Sequence, residues 1–268
     1  MSSLTARSRV RIARGYTLVE MLVALLIALF LLAGLFTIVQ SVRQTYNQQS
    51  ALAQLQDGER LAMILMGDVV QAAGYFPSPT TNSISSVFAA AGTFAGGQAI
   101  SGTSATGGPV GNSDSVSVRF TPPTIVNGDA NVNTNLSMMN CTGGTDVAGV
   151  VYTDTFSVDA EGNLDCTLAV NGAAQPAVQL ISGVQRLQIW YGVPTSAASG
   201  QNVDTYYTAA NMPANDWPNV TAVRIRLTFI NPLACPTALV TCAAATAPGV
   251  SYYIERVVGV MSRTGVTT

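Results

Sequence analysis

The chain of 268 residues contains no histidine and no lysine, and charged side chains make up only 10% of it. Soluble domains carry about 25%. All twelve cations are arginines, set against fourteen acids. Each absence removes chemistry. Without histidine no Ser/His/Asp or Cys/His constellation can form, and the commonest general acid–base and metal-ligating side chain is missing. The glycines between residues 92 and 111 lack the lysine and the following helix of a phosphate-binding loop. Asp129-x-Asn131-x-Asn133 lacks the glycine and the distal acid that a calcium loop of the EF type needs. Asp159, Glu161 and Asp165 read as a solvated hairpin. No cofactor is implied, and catalysis is not expected.

Proline is absent before Pro77, so helix-compatible sequence runs from about Thr17 to Ala73, interrupted only by Gly34, Gly58 and Gly67. Residues 21–36 contain no polar side chain, and Thr37, Ile38 and Val39 extend the run to residue 39. That length matches the roughly 18–20 residues that cross a bilayer. Ahead of it lie Arg7, Arg9, Arg11 and Arg14 with no acid. A secretory signal would place a small-residue cleavage site after an apolar core of about 7–15 residues. Here the good candidate, Gly15, comes before the core. A cut after Gly15 removes the arginines, keeps the span and exposes an amine on Tyr16. It leaves eight arginines against fourteen acids, a side-chain charge of −6. That balance argues against a strongly basic nucleic-acid surface.

Glu20 is awkward at the mouth of this run, because an ionised acid in hydrocarbon costs about 2.5–3.5 kcal/mol. Either it marks the water-facing edge of the span or it has a cationic partner, for which the Tyr16 amine is the obvious candidate. Gly15-Tyr16-Thr17-Leu18-Val19-Glu20 resembles the cleavage and methylation motif of type IV prepilins and type II secretion pseudopilins. The resemblance implies cleavage after Gly15 by a prepilin peptidase, methylation of Tyr16, and pairing of Glu20 with the N-terminal amine of an adjacent subunit. Phenylalanine is the usual first mature residue of that class, and Tyr16 keeps the aromatic.

The arginine leader stays cytoplasmic by the positive-inside rule, which puts Cys141, Cys166, Cys235 and Cys242 where disulfides are permitted. Of the three possible pairings, the sequence-local one is Cys141–Cys166 with Cys235–Cys242. The cysteines form no C-x-x-C pair, which argues against zinc.

From residue 40 the helix turns polar. Leu52, Leu55, Ala62, Leu65 and Val69 form a stripe suited to docking on a sheet, with Asp57, Glu59, Arg60 and Asp68 expected in solvent. Twenty-eight of the thirty-seven residues in 77–113 are Gly, Ser, Thr, Ala or Pro, a composition that reads as a surface loop. Alternation then predicts strands at 116–120, at 150–153 and 155–158 around a turn at Asp154, at 164–170 after a hairpin turn, and at 184–191 ended by Gly192. Further strands are expected at 223–229, with Arg224 and Arg226 on a basic outer face, and at 252–260. The expected organisation is a leader (1–15), an apolar helix (16–39), an amphipathic helix (40–73), a loop (74–113) and an antiparallel β head (114–268), an α+β pilin-like fold.

Leu180 to Gly192 followed by Trp217 to Ile225 resembles the C-terminal half of PilW-like minor pilins, with a similar arrangement in J-type pseudopilins of type II secretion. Ser262-Arg263-Thr264-Gly265 departs from the Arg-Asn ending of that group. The resemblance implies a minor type IV pilin that helps initiate or cap a pilus. Its partners would be major and minor pilins, the prepilin peptidase and inner-membrane lipid, its head would be periplasmic, and its processes would be pilus assembly and twitching motility. The alternatives are a pseudopilin of type II secretion, or a DNA-uptake or adhesion pilin using Arg224, Arg226 or the loop at 77–113.

Overall fold

The computed structural model describes residue 15 and residues 17–77, 79–105, 113–122, 138–144, 149–196, 200–231 and 251–261. The chain divides into two units, Met1–Ser50 and Ala51–Thr268. Helix α1, Leu18–Gln71, is continuous through Gly34, Gly58 and Gly67.

In the first unit every large apolar side chain of α1 from Leu18 to Val42 is at least 46% exposed. Such a surface, apolar all round, suits lipid or a packed helix bundle. Two hydroxyls of this helix are satisfied locally: Thr37 Oγ1 donates to the Gly34 carbonyl and, farther along, Thr45 Oγ1 to that of Ser41. By length and composition this helix can cross a membrane.

In the second unit the rest of α1 packs on antiparallel sheets. Its buried face is Ala62, Met63, Met66, Gly67, Val69 and Val70. The stripe therefore exists, displaced from the expected one: Leu52 is exposed, Leu65 lies at its edge, and the two methionines take the centre. Glu59 is not free in solvent either, because it accepts a hydrogen bond from the Tyr252 hydroxyl. Gly67 admits the Arg256 guanidinium, whose Nη1 reaches the Met63 carbonyl at 3.2 Å. The helix ends at a glycine in the left-handed region, Gly74 at φ 71°, with its N–H on the Arg119 carbonyl at 2.8 Å.

The first sheet has the order β1 (Ile100–Thr103), β2 (Ser115–Phe120), β3 (Tyr152–Val158), β4 (Asn163–Val170), β5 (Ala173–Ala174), with β6 (Val178–Ser182) also on β4. The second has the order β10 (Ser251–Gly259), β9 (Ala222–Ile230), β7 (Val184–Val193), β8 (Thr205–Tyr207). All pairings are antiparallel. The chain passes from one sheet to the other at Gly183, φ 84°. Asp114 ties them together, donating its N–H to the Leu187 carbonyl and accepting the Ile189 N–H on its carboxylate. The main core joins Met66 and Val70 of α1 to Phe156, Leu164, Leu187, Ile189, Tyr191, Ile225, Leu227 and Phe229.

Three further expectations need correction. Asp154 makes no turn: β3 runs through it, and its buried carboxylate accepts the Cys141 N–H at 2.8 Å, a tertiary bond that overrides its turn preference. Gly192 does not end β7; a Cβ there would stand 2.8 Å from Val203 Cγ1 and 2.9 Å from a Tyr206 ring carbon, so the glycine permits close approach of that segment. The stretch 77–113 is more than a loop. Its described part holds a short helix α2 (Ile84–Val87), a bridge between Ala91 and Phe94, and strand β1, and it buries Phe88, Phe94 and Ile100. The device that orders it is Arg119 on β2, which is 4% exposed. Its guanidinium donates to the carbonyls of Ala89 at 2.8 Å, Ala95 at 3.2 Å and Gln98, and it lies over the rings of Phe94 at 4.3 Å and Phe88 at 5.4 Å.

Candidate functional site: the helix mouth and the head surface

Gly15 is exposed, and Tyr16 lies outside the described residues. From Thr17 the geometry is specific. The Glu20 carboxylate accepts from both the Thr17 N–H and the Thr17 hydroxyl at 3.4 Å. In return the Glu20 N–H donates to Thr17 Oγ1 at 3.3 Å, and the Met21 N–H begins the helical ladder on the Thr17 carbonyl. This is a reciprocal capping box, Thr-x-x-Glu, at the start of α1. Residue-type reasoning assigned Glu20 an amine partner and overlooked this role, although the Thr17/Glu20 spacing was the available signal. The carboxylate also sits in the first turn, where the helix dipole favours negative charge. It is the only charged side chain between Leu18 and Val42.

Cys141 and Cys166 are joined by a disulfide with Cα atoms 6.0 Å apart. Cys166 is on β4 and Cys141 on the segment that Asp154 holds, so the bridge pins that segment to the sheet. Cys235 and Cys242 lie outside the described residues, and so does Asp129-x-Asn131-x-Asn133. Asp159 shapes the β3–β4 turn by accepting the Asn163 N–H at 2.7 Å and its Nδ2 at 2.8 Å. Burial, then the charges of Asp159 and Glu161, push the Asp165 carboxyl above the usual range. Among the described residues no cluster of three His, Cys, Asp or Glu side chains is placed to hold a metal ion.

Arg224 and Arg226 do lie together on one face of β9, each half-buried against aromatic rings. Arg226 forms an ion pair with Glu255 at 2.7 Å.

Two stretches of the chain match known families. Residues 11–36 match the prokaryotic N-terminal methylation motif, which places Gly15, the capping box and the apolar helix inside one recognised unit. Residues 151–239 match type IV pilus-assembly protein W, a span that takes in β3 through β9. No curated protein matches the chain. By these two matches the chain is similar to type IV prepilins at its N-terminus and to PilW pilus-assembly proteins over part of its head, a PilW-like type IV pilin pattern.

Proposed function

We propose that this chain is a minor type IV pilin, a structural and non-enzymatic subunit that helps initiate or cap pilus assembly. The observation that carries the reading is the lone carboxylate of Glu20 at the head of an exposed apolar helix, five residues after Gly15. In this reading a prepilin peptidase cuts after Gly15 and Tyr16 is methylated. The apolar part of α1 resides in the inner membrane until it moves into the filament, where Glu20 neutralises the N-terminal amine of a neighbour. The arginine leader holds the N-terminus in the cytoplasm, the head is periplasmic, and its sheets meet other pilins. Cys235 and Cys242 would form a second disulfide there.

The test compares two substitutions. Glu20→Gln keeps an acceptor for the capping box but removes the charge, whereas Glu20→Ala removes both. Both are expected to leave cleavage after Gly15 intact, read by mass spectrometry of the new N-terminus, and both are expected to lose incorporation into pili. Normal incorporation of Glu20→Gln would sink charge pairing as the mechanism. A deletion strain that keeps normal numbers of functional pili would sink the minor-pilin role. Lost protein secretion with intact twitching would move the subunit to a secretion pseudopilus.

A further inference from the structure

The outward face of the second sheet is built as a ladder of arginines and aromatic rings. Trp190 on β7 stands opposite Arg224 on β9, and Arg226 is flanked by Gln188 on one side and Glu255 of β10 on the other. Arg224 lies 4.4 Å over the Trp190 ring and 5.0 Å over that of Tyr206; Arg226 lies 5.0 Å over Trp190 and 4.6 Å over Tyr253. The order across the face is therefore ring, cation, ring, cation, ring. Arg186 on β7 adds a third guanidinium opposite Thr228 of the same β9 face. Glu255 neutralises Arg226, and among the described residues no carboxylate pairs with Arg186 or Arg224. Of the eight arginines beyond Gly15 in a net acidic chain, three are gathered here.

Stacking fixes the plane of a guanidinium and leaves its edge donors to grip an oxyanion in two-pronged fashion. It also decides the kind of partner. Single-stranded nucleic acid binds by stacking bases on open ring faces, and both cations already lie over Trp190. What the face can still offer is the terminal nitrogens of Arg186 and Arg224, whose Nε atoms are buried, while Glu255 holds the Nε and Nη2 of Arg226; such nitrogens suit carboxylates on a protein surface. The chain itself carries such a surface. The β3–β4 turn presents Asp159 and exposed Glu161 beside Asp165, on a tip stiffened by the bonds between Asp159 and Asn163. No cation among the described residues pairs with these three acids.

We infer that the Arg186/Arg224/Arg226 face of one copy receives the Asp159–Asp165 hairpin of a second copy in a head-to-tail contact. Such a contact is heterologous and leaves one free face and one free hairpin at its ends, so it propagates rather than closing as a symmetric dimer. It requires no assembly machinery and stands independently of the pilus reading.

The experiment uses the full chain in detergent micelles, with donor- and acceptor-labelled copies mixed and energy transfer followed against concentration. Two reversals are made: Arg186→Glu with Arg224→Glu on the face, and Ala160→Arg with Glu161→Arg on the exposed hairpin tip. The milder Arg186→Gln with Arg224→Gln covers the case in which reversal disturbs folding, checked by circular dichroism. Wild type is expected to self-associate and to weaken when salt shortens the screening length from about 10 Å to about 3 Å. Each reversal alone is expected to lose about tenfold or more in affinity, and an equal mixture of the two reversed proteins to recover it. A monomeric wild type overturns the inference, and so does association unchanged in either reversal, which would place it in the apolar helix. Failure of the mixture to recover overturns it too. Salt-sensitive binding of duplex DNA that the face reversal abolishes, without self-association, would reassign the face to nucleic acid.

Discussion

Replacing Arg119 with methionine tests whether one buried cation organises the segment between α1 and β2. The side chain spans three carbonyls and two rings, and the loss can be estimated part by part. Gln98 is buried, and its carbonyl accepts from both Nε and Nη2. Stripping a buried acceptor costs about 1–3 kcal/mol. Ala89 and Ala95 are exposed, so their carbonyls regain water and add little. The two ring contacts contribute about 0.5–2 kcal/mol each when desolvated. Opposing these, methionine relieves the burial of a charge, a cost visible in a guanidinium pushed down to about 10 by desolvation. Replacing buried ions by apolar groups can recover about 1–4 kcal/mol. The net expectation is a loss of about 1–3 kcal/mol, with the damage concentrated in one place. Hydrogen exchange should accelerate at Phe88, Gly97 and Gln98, whose backbone bonds close the segment, while amides of β7 and β9 stay protected. Urea unfolding of the full chain in detergent gives the global figure. Unchanged exchange over residues 84–98 would refute the idea that the guanidinium is the tie, whatever the global stability.

Cys141→Ser with Cys166→Ser opens a 25-residue loop and should lower stability by about 3–3.5 kcal/mol on the chain-entropy account, read by urea unfolding with and without reductant; the reduced wild type should match the variant. Gly102→Ala places a Cβ against the Tyr191 hydroxyl and the Ser115 carbonyl, and overpacking of a fixed site should cost about 1–3 kcal/mol, seen as a lower thermal midpoint; a midpoint within one degree of wild type would contradict the geometry. For Asp165 the folded carboxyl titrates higher than the unfolded one, so the native state holds its proton more tightly. Its ionisation therefore removes stability as pH rises through that interval. Asp165→Asn should raise the thermal midpoint at pH 7 and leave it unchanged at pH 3, and equal shifts at both would refute the charge argument.

What the sequence disclosed depended on whether the signal was local. The apolar run, the absence of early proline and the Gly15–Glu20 junction are all contiguous, and α1 with its cap lies where they point. Alternation located β2, β4, β7, β9 and β10 to within two residues, because each buries one side on a common core. The misreadings were tertiary. Asp154 has turn chemistry, but the Cys141 amide recruits its carboxylate from another segment. Gly192 reads as a terminator until Val203 and Tyr206 are seen against it. The segment after Pro77 is poor in apolar residues, and its order comes from an arginine far along the chain. Arg119 was indistinguishable by type from the solvated arginines, so nothing nearby in sequence marked it.

The capping box raises a question of competition, because Glu20 can serve Thr17 or a neighbour's amine but scarcely both at full strength. Magnitudes favour the neighbour in the proposed assembly. The two bonds from Thr17 are 3.4 Å long and exposed. A capping interaction of that kind is worth about 0.5–2 kcal/mol. A carboxylate and an ammonium 4 Å apart attract by about 1 kcal/mol in water but about 4 kcal/mol at an effective dielectric of 20. In the membrane mouth before assembly, water is near and the local cap is competitive. Inside a packed bundle of apolar helices the dielectric falls and both interactions strengthen, the intersubunit pair more because it joins two full charges. In the proposed assembly the same carboxylate would hold the helix start in the free subunit and pass to a neighbour's amine on packing, with desolvation as the trigger.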